Sequence, residues 1–178
     1  MKAPAPASMP RFRLVPAIPE EAAAISELRN AVARHLTAAY GYGHWSSEVS
    51  ERGVLARMRT GRVYVARRGR RLSATLCLAT KKPWAIDVDY FTLVRRPLYL
   101  TDMAVAPELQ RQGIGRRCLA EALRLARAWP AESIRLDAYD ANAGAGEFYQ
   151  RCGYREMGRV VYRKVPLIYY EALLAVDV

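Results

Sequence analysis

A single α/β domain of the α+β type, with a mixed central β-sheet and helices on both faces, is what three features of this sequence predict. Strand-like apolar runs alternate with amphipathic helical stretches along the chain, no repeat or linker divides it, and its 178 residues suit one hydrophobic core. Residues 12–15 read as a short strand. A helix is expected over 20–40, where Ala24, Ile25, Leu28, Val32 and Leu36 recur three and four apart behind acidic first-turn residues. Glycines at 41 and 43 break it, and 49–58 reads as a second helix. Residues 63–66 and 72–79 pair as a hairpin across Arg68, Gly69 and Arg70. The segment 84–92 is expected to be extended, and 98–105 is a strand. A helix over 113–129 turns Cys118, Leu119, Ala122, Leu123 and Ala126 inward, with Arg116, Arg117, Arg124 and Arg127 opposite. A strand at 133–139, a helix at 143–151 and two final strands complete the order. The domain is expected to span 11–178, with the proline-rich residues 1–10 as a frayed tail.

Composition narrows the function classes. No apolar run is long enough to span a membrane and no signal-peptide core opens the chain, so a cytoplasmic protein is expected. Cys77, Cys118 and Cys152 form no Cys-x-x-Cys pair and read as reduced core residues. With His35 and His44 the only histidines, no metal site is expected. The net charge of +11 is mostly arginine. It fits an anionic ligand or a solvated surface. Aromatic residues do not alternate with the arginines as a base-stacking platform requires, so nucleic acid is not expected as the main partner.

Two clusters carry chemistry. The first, residues 105–116, joins the strand at 98–105 to the following helix and contains Gln110, Arg111, Gln112, Gly113, Ile114, Gly115 and Arg116. A glycine loop opening a helix leaves main-chain N–H groups unpaired at the positive end of the helix dipole, which suits a pyrophosphate; a tight turn chosen for packing is the bland alternative. It is not a dinucleotide fingerprint, whose third glycine would fall at Cys118, and the chain has no Gly-Lys-Ser/Thr of a Walker loop. The second cluster lies between two strands: Asn142, then Phe148 and Tyr149, then Gly153 and Tyr154.

Together the clusters resemble the GNAT superfamily of N-acetyltransferases. That family's Gln/Arg-x-x-Gly-x-Gly/Ala pattern reads here as Gln110, Gly113 and Gly115. Its Asn, Phe-Tyr and Gly-Phe signature reads as Asn142, Phe148-Tyr149 and Gly153-Tyr154, the last Tyr replacing the usual Phe. The match is good over about 98–173 and holds only in outline before that.

The resemblance implies acetyl-CoA as co-substrate, no metal, and direct transfer of acetyl to a primary amine of a small molecule, peptide N-terminus or lysine, without an acetyl-enzyme. It implies main-chain contacts from Met103, Ala104 and Val105 to the pantetheine arm, pyrophosphate on residues 110–116, and Asn142 holding the arm by its amide. Tyr149 would protonate the departing thiolate, its phenol being protonated at neutral pH. The acidic residue that many members carry on the preceding strand falls at Thr101, which cannot act as a base. Asp102 is a candidate, though strict alternation points it away from Thr101 and Met103, and an Asp in such a strand also serves to anchor a loop or helix start. Asp137, sharing a face with Tyr139, is another. For acceptor binding, the candidates are His44 and Trp45 in a glycine-rich aromatic loop and Tyr99, with Trp84, Tyr90, Phe91, Arg95 and Arg96 as a possible second wall. A homodimer is compatible with this fold. The competing readings are a non-catalytic acyl-CoA-binding module and a basic RNA-associated protein.

Overall fold

In a computed structural model of the chain, residues 12–175 are described; the tail expected over 1–10 lies outside them. The elements follow in the order β1 (Val15–Pro16), α1 (Ala22–Tyr40), α2 (Glu51–Thr60), β2 (Arg62–Arg68), β3 (Arg71–Ala79), β4 (Pro97–Val105), α3 (Ile114–Ala128), β5 (Ser133–Tyr139), α4 (Gly146–Arg151), β6 (Arg155–Tyr162) and β7 (Val165–Leu173). They form one seven-stranded sheet in the order β1-β2-β3-β4-β5-β7-β6. All neighbours are antiparallel except β4 and β5.

Alternation along the strands assigns the faces. Tyr64, Ala66, Leu76 and Leu78 point to one side and pack with Cys118, Leu119, Ala122 and Ala126 of α3 and Tyr149 of α4. Val63, Val65 and Cys77 point to the other and meet Ala22 and Ile25 of α1 and Val54 of α2. The helix ends have local causes. Glu21 accepts the Ile18 N–H (3.0 Å) ahead of α1, Ser50 caps α2 by accepting the Gly53 N–H (3.2 Å), and Gly41 takes a left-handed φ of 81° where α1 stops. Burial holds the Cys77 and Cys118 thiols protonated, with pKa values pushed up to about 11 and about 12.

The segment expected to be extended at 84–92 instead makes turns and a short 3-10 helix over Val88–Tyr90. It folds over a separate part of the sheet. Ile86 and Phe91 are buried with Tyr99 of β4 and Tyr169 of β7, and the Tyr169 hydroxyl donates to the Ala85 carbonyl and accepts the Asp87 N–H. Ile86 and Phe91 find burial without a ladder partner, while Trp84 and Tyr90 stay exposed, so apolar content alone misread the backbone.

A buried ion pair fastens this covering segment. Arg135 on β5 and Glu171 on β7 are register partners, 5% and 1% exposed, with Nε to Oε1 at 2.9 Å. Arg135 also donates to the Thr92 carbonyl (2.5 Å), and Glu171 accepts the Thr92 N–H (3.1 Å). Removing one partner strands a charge in the core, so Glu171→Ala is expected to cost about 3–5 kcal/mol, measured by denaturant unfolding. The double change Arg135→Met with Glu171→Leu should recover most of that. A loss below about 1 kcal/mol in the single variant would contradict the account.

Candidate active site

The site begins where β4 and β5 part. They pair only from Pro97 to Tyr99 against Ser133 to Arg135, after which the strands diverge and the β5-facing main-chain edge of β4, including Met103, Ala104 and Val105, has no ladder partner. The divergence coincides with a bulge. Cys77 lies opposite Thr101 but Thr75 lies opposite Ala104, so β4 carries one residue more than β3 in that interval. Asp102 takes the strain, with φ at 57°, a left-handed conformation that short polar residues tolerate best.

The bulge corrects the expectation for Asp102. Strict alternation would send it to the opposite face from Thr101; the extra residue keeps it on the same one. There its Oδ1 meets Arg29 of α1 and its Oδ2 meets Arg57 of α2, both at 2.8 Å, and Oδ2 also accepts from the Thr101 hydroxyl at 3.1 Å. Each oxygen is already engaged by a guanidinium. Asp102 is thus built as an anchor that ties two helices to the strand.

Between the parted strands lies a cleft of about 500 Å³. Thr101 to Ala104 form one wall, Asp137 to Tyr139 another, and Tyr149 lies at its α4 side. Asp137 is the one acid on β5 that faces it. Burial raises its carboxyl above the usual range, aided by the charge of Asp102. Burial also pushes the Tyr149 phenol well up, and the Asp137 charge adds to that. At neutral pH the Tyr149 hydroxyl therefore stays protonated.

On the α1 side, His44 and Trp45 close the cleft against Tyr139, with ring centroids 6.4 and 6.2 Å from it. The Tyr139 hydroxyl donates to the His44 carbonyl (3.2 Å), and Trp45 Nε1 donates to the Gly41 carbonyl (3.0 Å). Trp45 folds so closely over Gly43 that a Cβ there would lie about 2.6 Å from the indole, which explains the glycine. The loop both packs and lines the cleft.

The start of α3 lies at the other end of this edge. Its first intrahelical bond runs from the Arg117 N–H to the Gly113 carbonyl (3.1 Å), leaving the N–H groups of Ile114, Gly115 and Arg116 without intrahelical acceptors. Arg111 and Gly113 both have positive φ, 61° and 79°. The side chain of Gln110 donates to the Val105 carbonyl (3.1 Å) and that of Gln112 to the Glu108 carbonyl (2.9 Å), so both amides brace the loop. Arg111 and Arg116 are exposed beside it. The two glycines differ in purpose. A Cβ on Gly113 would meet nothing within 4 Å, whereas one on Gly115 would lie 3.0 Å from the Phe148 ring. Gly115 is thus a packing glycine, and the two sequence clusters are in direct contact.

Tyr99, Asn142 and the expected second wall stand elsewhere. Tyr99 is 3% exposed in the cluster with Ile86, Phe91 and Tyr169, because the 84–92 segment covers it, and it does not line the cleft. Asn142 is exposed and lines an adjoining cavity of about 770 Å³; the turn closed by the Gly144 N–H on the Ala141 carbonyl (2.8 Å) carries it out of the gap. The second wall proposed from Trp84, Tyr90, Phe91, Arg95 and Arg96 lies with that covering segment, where Glu132 accepts the N–H groups of both arginines. Cys152 is half-buried with its thiol raised by burial, so it is not activated. Sequence reasoning overlooked Arg29 and Arg57. The available signal was Asp102 itself, since an acid in an apolar strand needs a cation.

A parted β4–β5 pair, a bulged β4 and a glycine-opened α3 thus lie in succession along one edge of a mixed sheet. Residues 28–154 match the model of the acetyltransferase (GNAT) family, and the chain belongs to that family. Similar solved folds include an N-acetyltransferase from Staphylococcus aureus Mu50, 16% identical over 93% of this chain and 99% of the other, with a TM-score of 0.68. The ribosomal-protein-S18-alanine N-acetyltransferase of Escherichia coli is 14% identical over 94% and 96%, with a TM-score of 0.69. The yncA protein of Salmonella typhimurium, solved with its cofactor acetyl-CoA, is 18% identical over 92% and 94%, with a TM-score of 0.66. No curated protein matches the sequence. Among the described residues, no helix is long and apolar enough to cross a membrane and no cluster of His, Cys, Asp or Glu could hold a metal ion.

Proposed function

We propose that this chain transfers acetyl from acetyl-CoA to a primary amine by direct attack in the cleft between β4 and β5. The observation that carries the reading is the unpaired edge of β4 leading to the open amides of α3. A pantetheine arm needs main-chain partners along its length, and a pyrophosphate needs N–H donors; this path supplies both in sequence. The co-substrate brings the activated thioester. Met103, Ala104 and Val105 would hold its arm, and the Val105 N–H would face the developing oxyanion. The amides of 112–116, with Arg111 and Arg116 beside them, would hold the phosphates.

Asp137 is the group best suited to take the proton from the amine, since its raised pKa brings it toward the working range and, among the described residues, no cation pairs with its carboxylate as two do with that of Asp102. Tyr149, across the cleft, returns a proton to the leaving sulfur. Asp102 holds the frame. His44 and Trp45 contribute the acceptor wall.

Only the ionised form of Asp137 is a base, so thiol release should fall as pH drops through a pKa above the ordinary carboxylate range. Asp137→Asn should lose roughly 10²- to 10⁴-fold in kcat and the acid limb with it. The check is a pH–rate profile of both proteins with one amine in excess. An unchanged limb in the variant would remove Asp137 from the role.

A further inference from the structure

Arg29 and Arg57 bring more hydrogen-bond donors to the cleft than the protein uses. Arg29 spends Nη2 on Asp102 and Arg57 spends Nε, and Asp102 is the sole anion paired with either among the described residues. Each guanidinium carries five N–H donors in a fixed plane. Both side chains line the cleft and stay partly open, 25% and 40% exposed. Two cations against one carboxylate leave this corner with a positive charge in excess. The other acid of the cleft, Asp137, sits on the opposite strand and pairs with neither guanidinium.

The corner is on the acceptor's side. Arg29 and Arg57 come from α1 and α2, on one face of the sheet, whereas the α3 amides that suit a pyrophosphate lie with the elements of the other face. It also shares the cleft with the chemistry, because Asp102 lines the same gap and stands three residues before Val105, whose N–H is proposed to face the oxyanion. An anion bound there would share one cleft with an amine attacking the thioester. Planar guanidiniums with adjacent donors recognise a carboxylate in two-point fashion.

We propose that Arg29 and Arg57, held in place by Asp102, bind an anionic group of the acceptor, so that the acceptor is a compact amine carrying a carboxylate, as a free amino acid does. This rests on the acetyl-transfer reading above. His44, Trp45 and Tyr139 then offer an aromatic surface to the rest of the molecule. Asp102 is a positioning residue here: it fixes two side chains that would otherwise sample many rotamers.

The test compares matched acceptors: an amino acid, its carboxamide, the amine lacking the acid group, and the aminophosphonate of the same side chain. Binding is read as a dissociation constant by calorimetry with the full chain saturated in CoA, and turnover as thiol release from acetyl-CoA. The wild-type protein should favour the acid over its carboxamide by roughly 10- to 100-fold in both readouts. In Arg57→Gln that ratio should collapse toward one, and in Arg57→Lys it should fall only in part. A ratio is immune to partial misfolding, since both ligands meet the same protein. Equal use of acid and carboxamide by the wild type, or a preference that survives Arg57→Gln, would overturn the proposal. Tighter binding of the phosphonate would replace the carboxylate by a phosphate-type anion and overturn the acceptor class. If the acid binds selectively while no acceptor releases thiol, the anion site stands and the acetyl-transfer reading falls. Thiol release with no acid preference gives the reverse.

Discussion

Gly113→Trp is expected to abolish acetyl-CoA binding, lowering affinity by at least about 100-fold, while the protein without ligand keeps its fold. Gly113 caps α3 in a left-handed conformation, φ 79° and ψ 2°. A side chain there costs about 1–2 kcal/mol of backbone strain, which a domain of ordinary stability absorbs. No atom of the described residues lies within 4 Å of its Cβ position, so a side chain leaves the backbone there without a collision. What it would fill is the space above the free N–H groups of Ile114, Gly115 and Arg116, where the phosphates are proposed to sit. Gly113→Ala separates the causes: it introduces the strain without the bulk and should bind within about tenfold of wild type. Calorimetric titration with acetyl-CoA is the check. Unchanged affinity in Gly113→Trp would remove the loop from the cofactor site. The same change at Gly115 would be uninformative, because the Phe148 ring already stands against that position.

Tyr149→Phe is expected to do the opposite, sparing binding and lowering kcat by roughly 10²- to 10³-fold, within the range for loss of a general acid. The ring is part of the core, 8% exposed and packed on Phe148, Tyr154 and Tyr170 at centroid distances of 5.4, 5.9 and 5.7 Å. Phenylalanine keeps those contacts and removes only the hydroxyl. Affinity for acetyl-CoA should stay within about threefold, and stability should change by no more than about 1 kcal/mol. Because the phenol's pKa is raised by burial and by Asp137, the hydroxyl stays protonated across the physiological range, and its loss should depress the rate evenly over that range. A kcat within threefold of wild type would leave Tyr149 as a core aromatic only.

The order of elements was legible because it rests on periodicity and punctuation. The apolar spacing in α1 and α3 and the Gly69 turn each have a local cause that survives folding. The glycine loop was legible too, although half of its explanation was hidden: Gly115 exists to admit Phe148, a residue more than thirty positions away. The site was harder to read for the same reason. One inserted residue at Asp102 reverses the alternation that assigned its face, and nothing local announces a bulge. Arg29 and Arg57 sit on helices among many other arginines, and only the fold shows that these two share Asp102. Tyr99 looked available because its cover, the 84–92 segment, folds back from a position that sequence distance does not reveal.

The most direct test of acetyl transfer is thiol release from acetyl-CoA in the presence of a panel of amines: free amino acids, peptides with varied N-termini, polyamines, aminoglycosides and aminoacyl analogues. The account predicts amine-dependent thiol release with formation of the N-acetyl product, strongest among the amino acids. No release with any acceptor, together with no rise in melting temperature on adding acetyl-CoA, would contradict it.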